Sequence, residues 1–165
     1  MEVKTRLFYS INIEEDKIIR FVNGLVGFPE LKDFALVHDT DSESGKGIQW
    51  LQSMQDGNFA IPVVNPVQIL DNYDPVVEDE LLTPLGELAV EDMLVLVTIT
   101  VPEDITKMTV NLKGPIVINA KNCMACQVIA ENEGLEVKFP VYDILKAKKE
   151  GKLYVSIIQK KRSRR

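Results

Sequence analysis

The chain has few of the residues on which most catalytic and metal sites depend. It holds one histidine and two cysteines among 165 residues. A structural zinc site needs four ligands, usually supplied as two pairs, and an activated serine or cysteine nucleophile needs a base such as histidine. His38 ends the apolar run FALVH, where a strand terminus is expected, so we interpret it as structural or exposed. These counts argue against a histidine-dependent active site and a complete zinc site, and we expect no metal and no cofactor.

Ligand-binding loops of recognisable spacing are also missing. Residues 42–47, SESGKG, contain Gly45-Lys46-Gly47 but lack the spacing of a phosphate-binding loop, so a loop between strands is predicted. The calcium-loop pattern D-x-[DN]-x-[DN]-G does not occur. Carboxylates are plentiful, but their clusters fall in predicted turns and helix starts, where solvation and the helix dipole favour acidic side chains.

No apolar run is long enough to cross a membrane. The longest, MLVLVTITV at residues 93–101, is far below the roughly 18 residues that a span requires. The first ten residues, MEVKTRLFYS, alternate in polarity and lack the apolar core of a signal peptide. We therefore expect a soluble cytoplasmic protein, without membrane contact, whose thiols are reduced.

Charge is distributed unevenly along the chain. The formal net charge is −6, yet residues 146–165 carry nine Lys or Arg and one Glu, which leaves residues 1–145 at −14. An acidic body repels nucleic acid and suits a basic protein partner. The last six residues, KKRSRR, keep open the alternative of a nucleic-acid-binding regulator.

Strand signals dominate the chain. Apolar residues alternate with polar or small ones over residues 3–7, 59–64, 93–101, 116–119 and 153–158. Pro62 interrupts one run and predicts a sheet edge or bulge there. Helical signal is limited to residues 77–85, with Pro75 as a start and Thr83-Pro84 as a break or new capped turn, and to Tyr142–Lys149, with Gly151 as its stop.

These elements predict a mainly β fold, a small antiparallel β-barrel-like single domain with one or two short helices. Residues 1–145 are expected to form a single β-rich binding domain. Residues 146–165 are expected to form a basic C-terminal segment with a candidate last strand at 153–158 and a disordered tail. The sequence has no heptads and no long amphipathic helix, which favours a monomer.

The two cysteines form a C-x-x-C motif within KNCMACQVIA, residues 121–130. A metal knuckle, a redox dithiol and two small packed hydrophobes all fit the spacing. The residues after Cys126 resemble a strand rather than a helix start, so the motif is interpreted as a turn entering a strand with packed thiols. A cysteine-based metal or redox protein using Cys123, Cys126 and His38 is kept as an alternative.

Several stretches, in order, resemble the flagellar assembly factor FliW family. They are FVNGLVGFPELKDFALV at 21–37, WLQSMQDGNFAIPVVNP at 50–66, DNYDPVV at 71–77 and VTITVPEDITKMTVNLKGPIVIN at 97–119. QVI at 127–129 continues the likeness, which fades beyond Leu135. Val22 stands where the family often has proline, and CMAC stands where a basic or glycine-containing turn is commoner.

The resemblance implies a non-enzymatic regulator with two protein partners. Such a protein binds unassembled flagellin and, when flagellin is exported, binds the RNA-binding translational repressor CsrA away from its RNA surface. Flagellin mRNA is then released for translation. We expect acidic clusters to meet the basic surface of CsrA and apolar residues near turns to meet flagellin helices. The expected CsrA contacts are Glu78, Asp79, Glu80, Glu103 and Asp104, and the expected flagellin contacts are Phe28, Tyr73 and Ile105. Ordinary core packing is the alternative for each apolar residue.

Overall fold

A computed structural model describes residues 1–38 and 47–149. Its elements, in chain order, are β1 (Glu2–Thr5), β2 (Tyr9–Asn12), β3 (Ile19–Phe21), β4 (Asp33–His38), β5 (Gln49–Ser53), β6 (Ala60–Val64), α1 (Asp79–Leu82), β7 (Met93–Thr100), β8 (Thr109–Val110), β9 (Ile116–Asn119), β10 (Met124–Gln127), β11 (Phe139–Pro140) and α2 (Tyr142–Lys149). Short 3₁₀ turns span Glu15–Lys17, Pro66–Gln68, Thr83–Leu85, Val90–Asp92 and Ile105–Lys107.

Seven strands close into a barrel in the order β3, β4, β5, β6, β7, β9, β10, because β10 pairs back onto β3. Six of the seven ladders are antiparallel, and the closing ladder is parallel, with Ala125 opposite Phe21. The predicted antiparallel barrel is thereby confirmed, except at its closing seam. Strands β8 and β11 extend from β7, and β1 pairs with β2 as a separate hairpin.

Each of the seven strands contributes its alternate, inward-pointing residues to the barrel interior. The fully enclosed members include Phe21, Phe34, Leu51, Val63, Leu96 and Ile116. The rings of Phe21 and Phe34 meet edge to face at 5.2 Å between centroids. This interior explains the period-2 pattern of the predicted strands.

Three further apolar clusters cover the outside of the barrel, the smallest of them joining Leu7, Trp50 and Ala60. On the outer face of β7, Val97 and Ile99 pack with Met108, with Leu112 and with Leu145, which lies in α2. Because Leu96 faces the interior, β7 is buried on both sides, as its continuous apolar run predicts. Against β9 and β10, a second outer cluster joins Leu85, Val117, Cys126 and Val128 under the α1 segment.

Pro62 marks the point where β6 and β7 separate. Their ladder contains only the pairs Val63–Thr98 and Val64–Val97. The next pair would join Pro62 to Ile99, and proline has no N–H to donate to a neighbouring strand. The sequence-predicted edge therefore exists, but as a local opening within the barrel wall rather than as an outer strand.

The first helix begins later than predicted. Pro75 does not start it, because the N–H of Val76 donates to Asn132 Oδ1 at 2.6 Å and the carbonyl of Val76 accepts from Glu131 N at 2.7 Å. These bonds hold the chain extended until Asp79. Thr83 does not cap the next turn, and its hydroxyl donates to the carbonyl of Glu80 at 2.8 Å. The second helix is confirmed as Tyr142–Lys149.

Four further features of the sequence analysis fall outside the described residues. They are the loop at 42–46, the helix stop at Gly151, the candidate strand at 153–158 and the tail KKRSRR.

Candidate binding surfaces

An acidic ridge runs along the segment that covers β9 and β10. Glu78 occupies the position before α1, and Asp79 and Glu80 form its first turn, with all three side chains exposed. Beneath them, Val77 and Leu82 pack against the cluster of Leu85 and Cys126. Apolar contacts thus anchor a segment whose solvent face is carboxylate, which suits recognition of a positively charged surface.

Hydrogen bonds made by Asn132 bring another acidic residue, Glu131, next to this ridge. Asn132 Nδ2 donates to the carbonyl of Asp74 at 3.0 Å and its Oδ1 accepts from Val76 N, while Glu131 N bonds to the carbonyl of Val76. Lys113 Nζ donates to the carbonyls of Ala130 and Asn132, at 3.2 and 3.3 Å, and fixes this stretch on the barrel. Sequence reasoning missed Glu131, because its closeness to the ridge depends on bonds between residues more than 50 positions apart.

The second predicted acidic cluster lies elsewhere, at the turn that follows β7. Asp104 Oδ1 accepts from the hydroxyl of Thr106 at 2.6 Å and from its N–H at 3.1 Å. These bonds lower the pKa of the exposed Asp104 carboxyl, with a smaller contribution from Lys107, so it is ionised at neutral pH. The turn packs on α2. Among the described residues, no hydrogen bond or ion pair joins Glu103 or Asp104 to Glu78–Glu80.

Phe28 projects from a tight turn built on glycine. Gly24 has φ of +73°, and a Cβ there would clash with the backbone of Pro29. Phe28 N donates to the carbonyl of Leu25 at 2.8 Å, and Leu31 N donates to that of Phe28 at 3.0 Å. The turn leaves the Phe28 side chain 42% exposed, so it is available for contact with a partner.

The ring of Phe28 lies 4.7 Å from that of Phe59 and forms one wall of a groove of about 430 Å³. The groove follows the opening between β6 and β7. Its lining is mostly apolar, with Arg6, Asn58 and Thr100 as the polar members: Arg6, Phe28, Trp50, Asn58, Phe59, Ala60, Ile61, Pro62, Ile99, Thr100 and Val101. Its size and composition fit apolar side chains of a peptide or helix.

Tyr73 and Ile105 lie apart from this groove. Tyr73 packs against the outer cluster beside α2, and its hydroxyl donates to the carbonyl of Leu112 at 2.7 Å. Burial raises the pKa of Tyr73 to about 12. Ile105 is half-buried in the turn that contacts α2. The structure therefore places the three apolar candidates on two surfaces, Phe28 on one and the other two near α2.

The cysteines lie in a turn entering a strand, as predicted. Cys123 has φ of +60° in the turn before β10, and Cys126 is buried within the strand. The Cys126 thiol lies 3.7 Å from the carbonyl of Leu81, and burial raises its pKa. Within residues 1–38 and 47–149, no three His, Cys, Asp or Glu side chains gather as a metal site. His38 is exposed at the end of β4.

No helix in the described parts of the chain is long and apolar enough to span a membrane.

Comparison with known proteins identifies one family. Residues 2–141 match the family model described as FliW protein. A flagellar assembly factor FliW of Lachnoclostridium phytofermentans is 43% identical over 152 residues, which cover 91% of this chain and 97% of that protein. One of Lachnospira eligens is 45% identical over 147 residues, covering 88% and 97%. A crystal structure of the flagellar assembly factor FliW superposes with a TM-score of 0.75 at 28% identity, covering 86% of this chain and 96% of that one.

Proposed function

The chain belongs to the FliW family of flagellar assembly factors, and we propose that it binds unassembled flagellin and, once flagellin is exported, binds and antagonises the RNA-binding repressor CsrA. Flagellin translation is thereby de-repressed. The protein acts in the cytoplasm as a monomer, without catalysis, cofactor or direct nucleic-acid contact. The observation that carries the proposal is the pair of separate surfaces, one acidic and one apolar, on the outside of the closed barrel.

The acidic ridge is the proposed CsrA surface. A protein that holds RNA phosphates presents basic side chains, and opposite charge accelerates encounter between two proteins. Glu78, Asp79 and Glu80 are exposed together, with Glu131 beside them, whereas Glu103 and Asp104 form a second acidic site near α2. The ridge offers the larger concentration of charge, so we assign it the larger effect on association.

Charge reversal tests this assignment. The triple variant Glu78→Lys, Asp79→Lys, Glu80→Lys is expected to slow association with CsrA by on the order of tenfold or more at low salt, since steering raises on-rates by 10–10³. The rate, measured by stopped flow across ionic strength, should also lose most of its salt dependence. The matched control reverses the exposed Glu14, Glu15 and Asp16, which changes net charge equally at another place. Equal slowing in both variants, or none, would contradict the assignment.

The second acidic site is tested without disturbing its turn. Asp104→Asn removes the charge but keeps the oxygen that accepts from Thr106. Combined with Glu103→Gln, it is expected to slow CsrA association less than reversal of the ridge. A larger effect than that of the ridge variant would move the main CsrA contact to this turn.

Phe28 is the proposed anchor for flagellin. Free flagellin termini are amphipathic helical segments, and a helix of this kind inserts apolar side chains into an apolar groove. Phe28→Ser is expected to weaken flagellin binding at least about tenfold, since truncating an aromatic hot-spot residue costs about 2 kcal/mol or more. Ile105→Ser tests the surface near α2 in the same calorimetric titration. Val90→Ser is the control, because Val90 is 80% exposed and lies outside both surfaces. Unchanged affinity in the Phe28 and Ile105 variants would refute both contacts.

A further inference from the structure

The apolar groove beside Phe28 carries a single cation at its margin. Arg6 lines the groove together with Phe28 and Phe59, and it is the one charged side chain among the described residues of that lining. The surrounding body is acidic, since residues 1–145 hold 10 basic and 24 acidic side chains, a net charge of −14. An arginine beside apolar surface presents a planar fork of N–H donors that matches a carboxylate.

The β1–β2 hairpin holds the backbone of Arg6 in place. Arg6 N donates to the carbonyl of Gly57 at 3.0 Å, and the next residue, Leu7, belongs to the same buried cluster as Trp50. Gly57 permits this close approach, because a Cβ there would clash with the carbonyl oxygen of Lys4. A hydrogen bond on one side and apolar packing on the other therefore fix where the Arg6 side chain starts.

The guanidinium of Arg6 is oriented but not neutralised. Its Nη2 donates to the carbonyl of Asn58 at 3.0 Å, which fixes one end of the fork. Its other N–H groups make no hydrogen bond to residues 1–38 or 47–149, and the ion pair within this part of the chain joins Arg20 to Asp33 at 2.9 Å. Arg6 thus has N–H donors available for a carboxylate that another molecule supplies.

We propose that Arg6 binds an Asp or Glu side chain of the segment that occupies this groove, and so determines which apolar segments the groove accepts. The inference rests on the proposed function, in which that segment is an amphipathic helix of unassembled flagellin anchored on Phe28. Residues three or four positions apart are neighbours on a helix, so an acidic residue beside the apolar face lies close to the anchor. A segment with a lysine at that position is rejected, because it places two cations together.

Calorimetric titration of purified flagellin into the full-length protein tests the role of Arg6. Arg6→Gln is expected to weaken binding about tenfold, the usual effect of losing a hydrogen bond to a charged group. Arg6→Lys keeps the charge but not the fork and should recover part of the loss. Lys4→Gln is the matched control, because Lys4 is exposed on the same hairpin, carries the same charge and lies outside the groove lining. Its affinity should equal that of the parent protein.

Salt dependence separates a charge contact from a change in shape. The difference in affinity between R6Q and the parent protein should narrow when the salt is raised to about 0.5 M, because ions screen a pair at an exposed arginine. Since Arg6 is exposed, R6Q should unfold within a few degrees of the parent protein. A difference in affinity that stays constant with salt would overturn the proposal.

The source of the carboxylate is tested with flagellin extended by two glycines at its C-terminus. The effect of R6Q should persist with this flagellin. Its loss would overturn the assignment of a side chain, because the carboxylate would then be the end of the flagellin chain.

Phe28→Ser in the same titration distinguishes this inference from the proposed function. If F28S weakens binding and R6Q does not, or if R6Q and K4Q weaken it equally, the role of Arg6 is refuted and flagellin binding stands. If the parent protein does not bind flagellin, both are refuted.

Discussion

Replacement of Asn119 tests how the acidic ridge is attached to the barrel. Asn119 is 1% exposed at the end of β9. Its Nδ2 donates to the carbonyls of Leu85 and Glu87, both at 2.9 Å, and its Oδ1 accepts from Lys121 N at 3.0 Å. One side chain therefore fastens the segment that follows α1 to the barrel wall. Asn119→Ala removes all three bonds without adding bulk.

The expected cost follows from the groups left behind. The carbonyl of Leu85 keeps a second donor, Asn122 Nδ2, at 3.0 Å. The carbonyl of Glu87 and the N–H of Lys121 lose their bonds with Asn119, and a group left unsatisfied costs about 1–3 kcal/mol. Glu87 and Lys121 are both exposed residues, so the low end applies to each. We expect a loss of about 2 kcal/mol in the free energy of unfolding, and a fall in Tm of about 4–8 °C for a chain of this length.

Urea unfolding followed by circular dichroism, with calorimetry for Tm, measures this loss. Asn122→Ala is the matched control: this exposed residue loses its bond to the same carbonyl and the bond that its Oδ1 accepts from Met124 N, and the change should cost less than about 1 kcal/mol. Asn119→Asp should be worse than the alanine variant, because a carboxylate cannot donate to two carbonyls. A loss below about 1 kcal/mol in N119A, or equal losses in N119A and N122A, would refute the reasoning.

Two further predictions concern the titratable side chains. In the folded protein at pH 8, a thiol reagent should modify Cys123 first and Cys126 only after denaturant is added, because Cys126 is buried and its pKa is raised; equal rates for the two thiols would contradict this. Tyr73 has a folded pKa of about 12 against 10.0 when unfolded, so its contribution to stability is complete below pH 10 and is lost as pH rises through 12. That contribution is at most about 2–3 kcal/mol and is reduced by solvent at a half-buried ring. The free energy of unfolding should therefore fall less between pH 9 and 11.5 in Tyr73→Phe than in the parent protein, and identical pH dependence would contradict this.

The barrel was predictable because its inward residues follow a strict alternation. Residues 116–119 and 93–100 show this pattern and form β9 and β7. The closing ladder was not predictable. It joins β3 to β10 across about a hundred residues, through only two pairs, Arg20–Met124 and Phe21–Ala125. Two residue pairs are too few to produce a recognisable sequence pattern. The parallel pairing of the first and last barrel strands depends instead on the contacts made by the rest of the barrel.

The candidate surfaces were predictable to different degrees. The exposed carboxylates of Glu78–Glu80 follow from acidic residues at a helix start. The position of Glu131 beside this ridge does not follow from the sequence, because hydrogen bonds of the Asn132 side chain determine it. An asparagine in a loop gives no sign of which distant residues it bonds to. The groove had one local sign, Pro62, whose missing N–H ends a ladder. Its second wall, at Ile99, could be found only once the register was known.

Closure of the barrel also explains where partners can bind. Over residues 1–38 and 47–149, the seven barrel strands form a closed ring, which leaves few main-chain groups of the wall for another chain to pair with. Binding surfaces must then come from what is attached to the outside: the α1 segment, the turn at Ile105–Lys107 and the glycine turn that carries Phe28. The acidic ridge and Phe28 belong to different attachments on different parts of the wall. Changes at Glu78–Glu80 should therefore leave flagellin affinity unaltered, and Phe28→Ser should leave the CsrA on-rate unaltered, since neither surface needs the other to be intact.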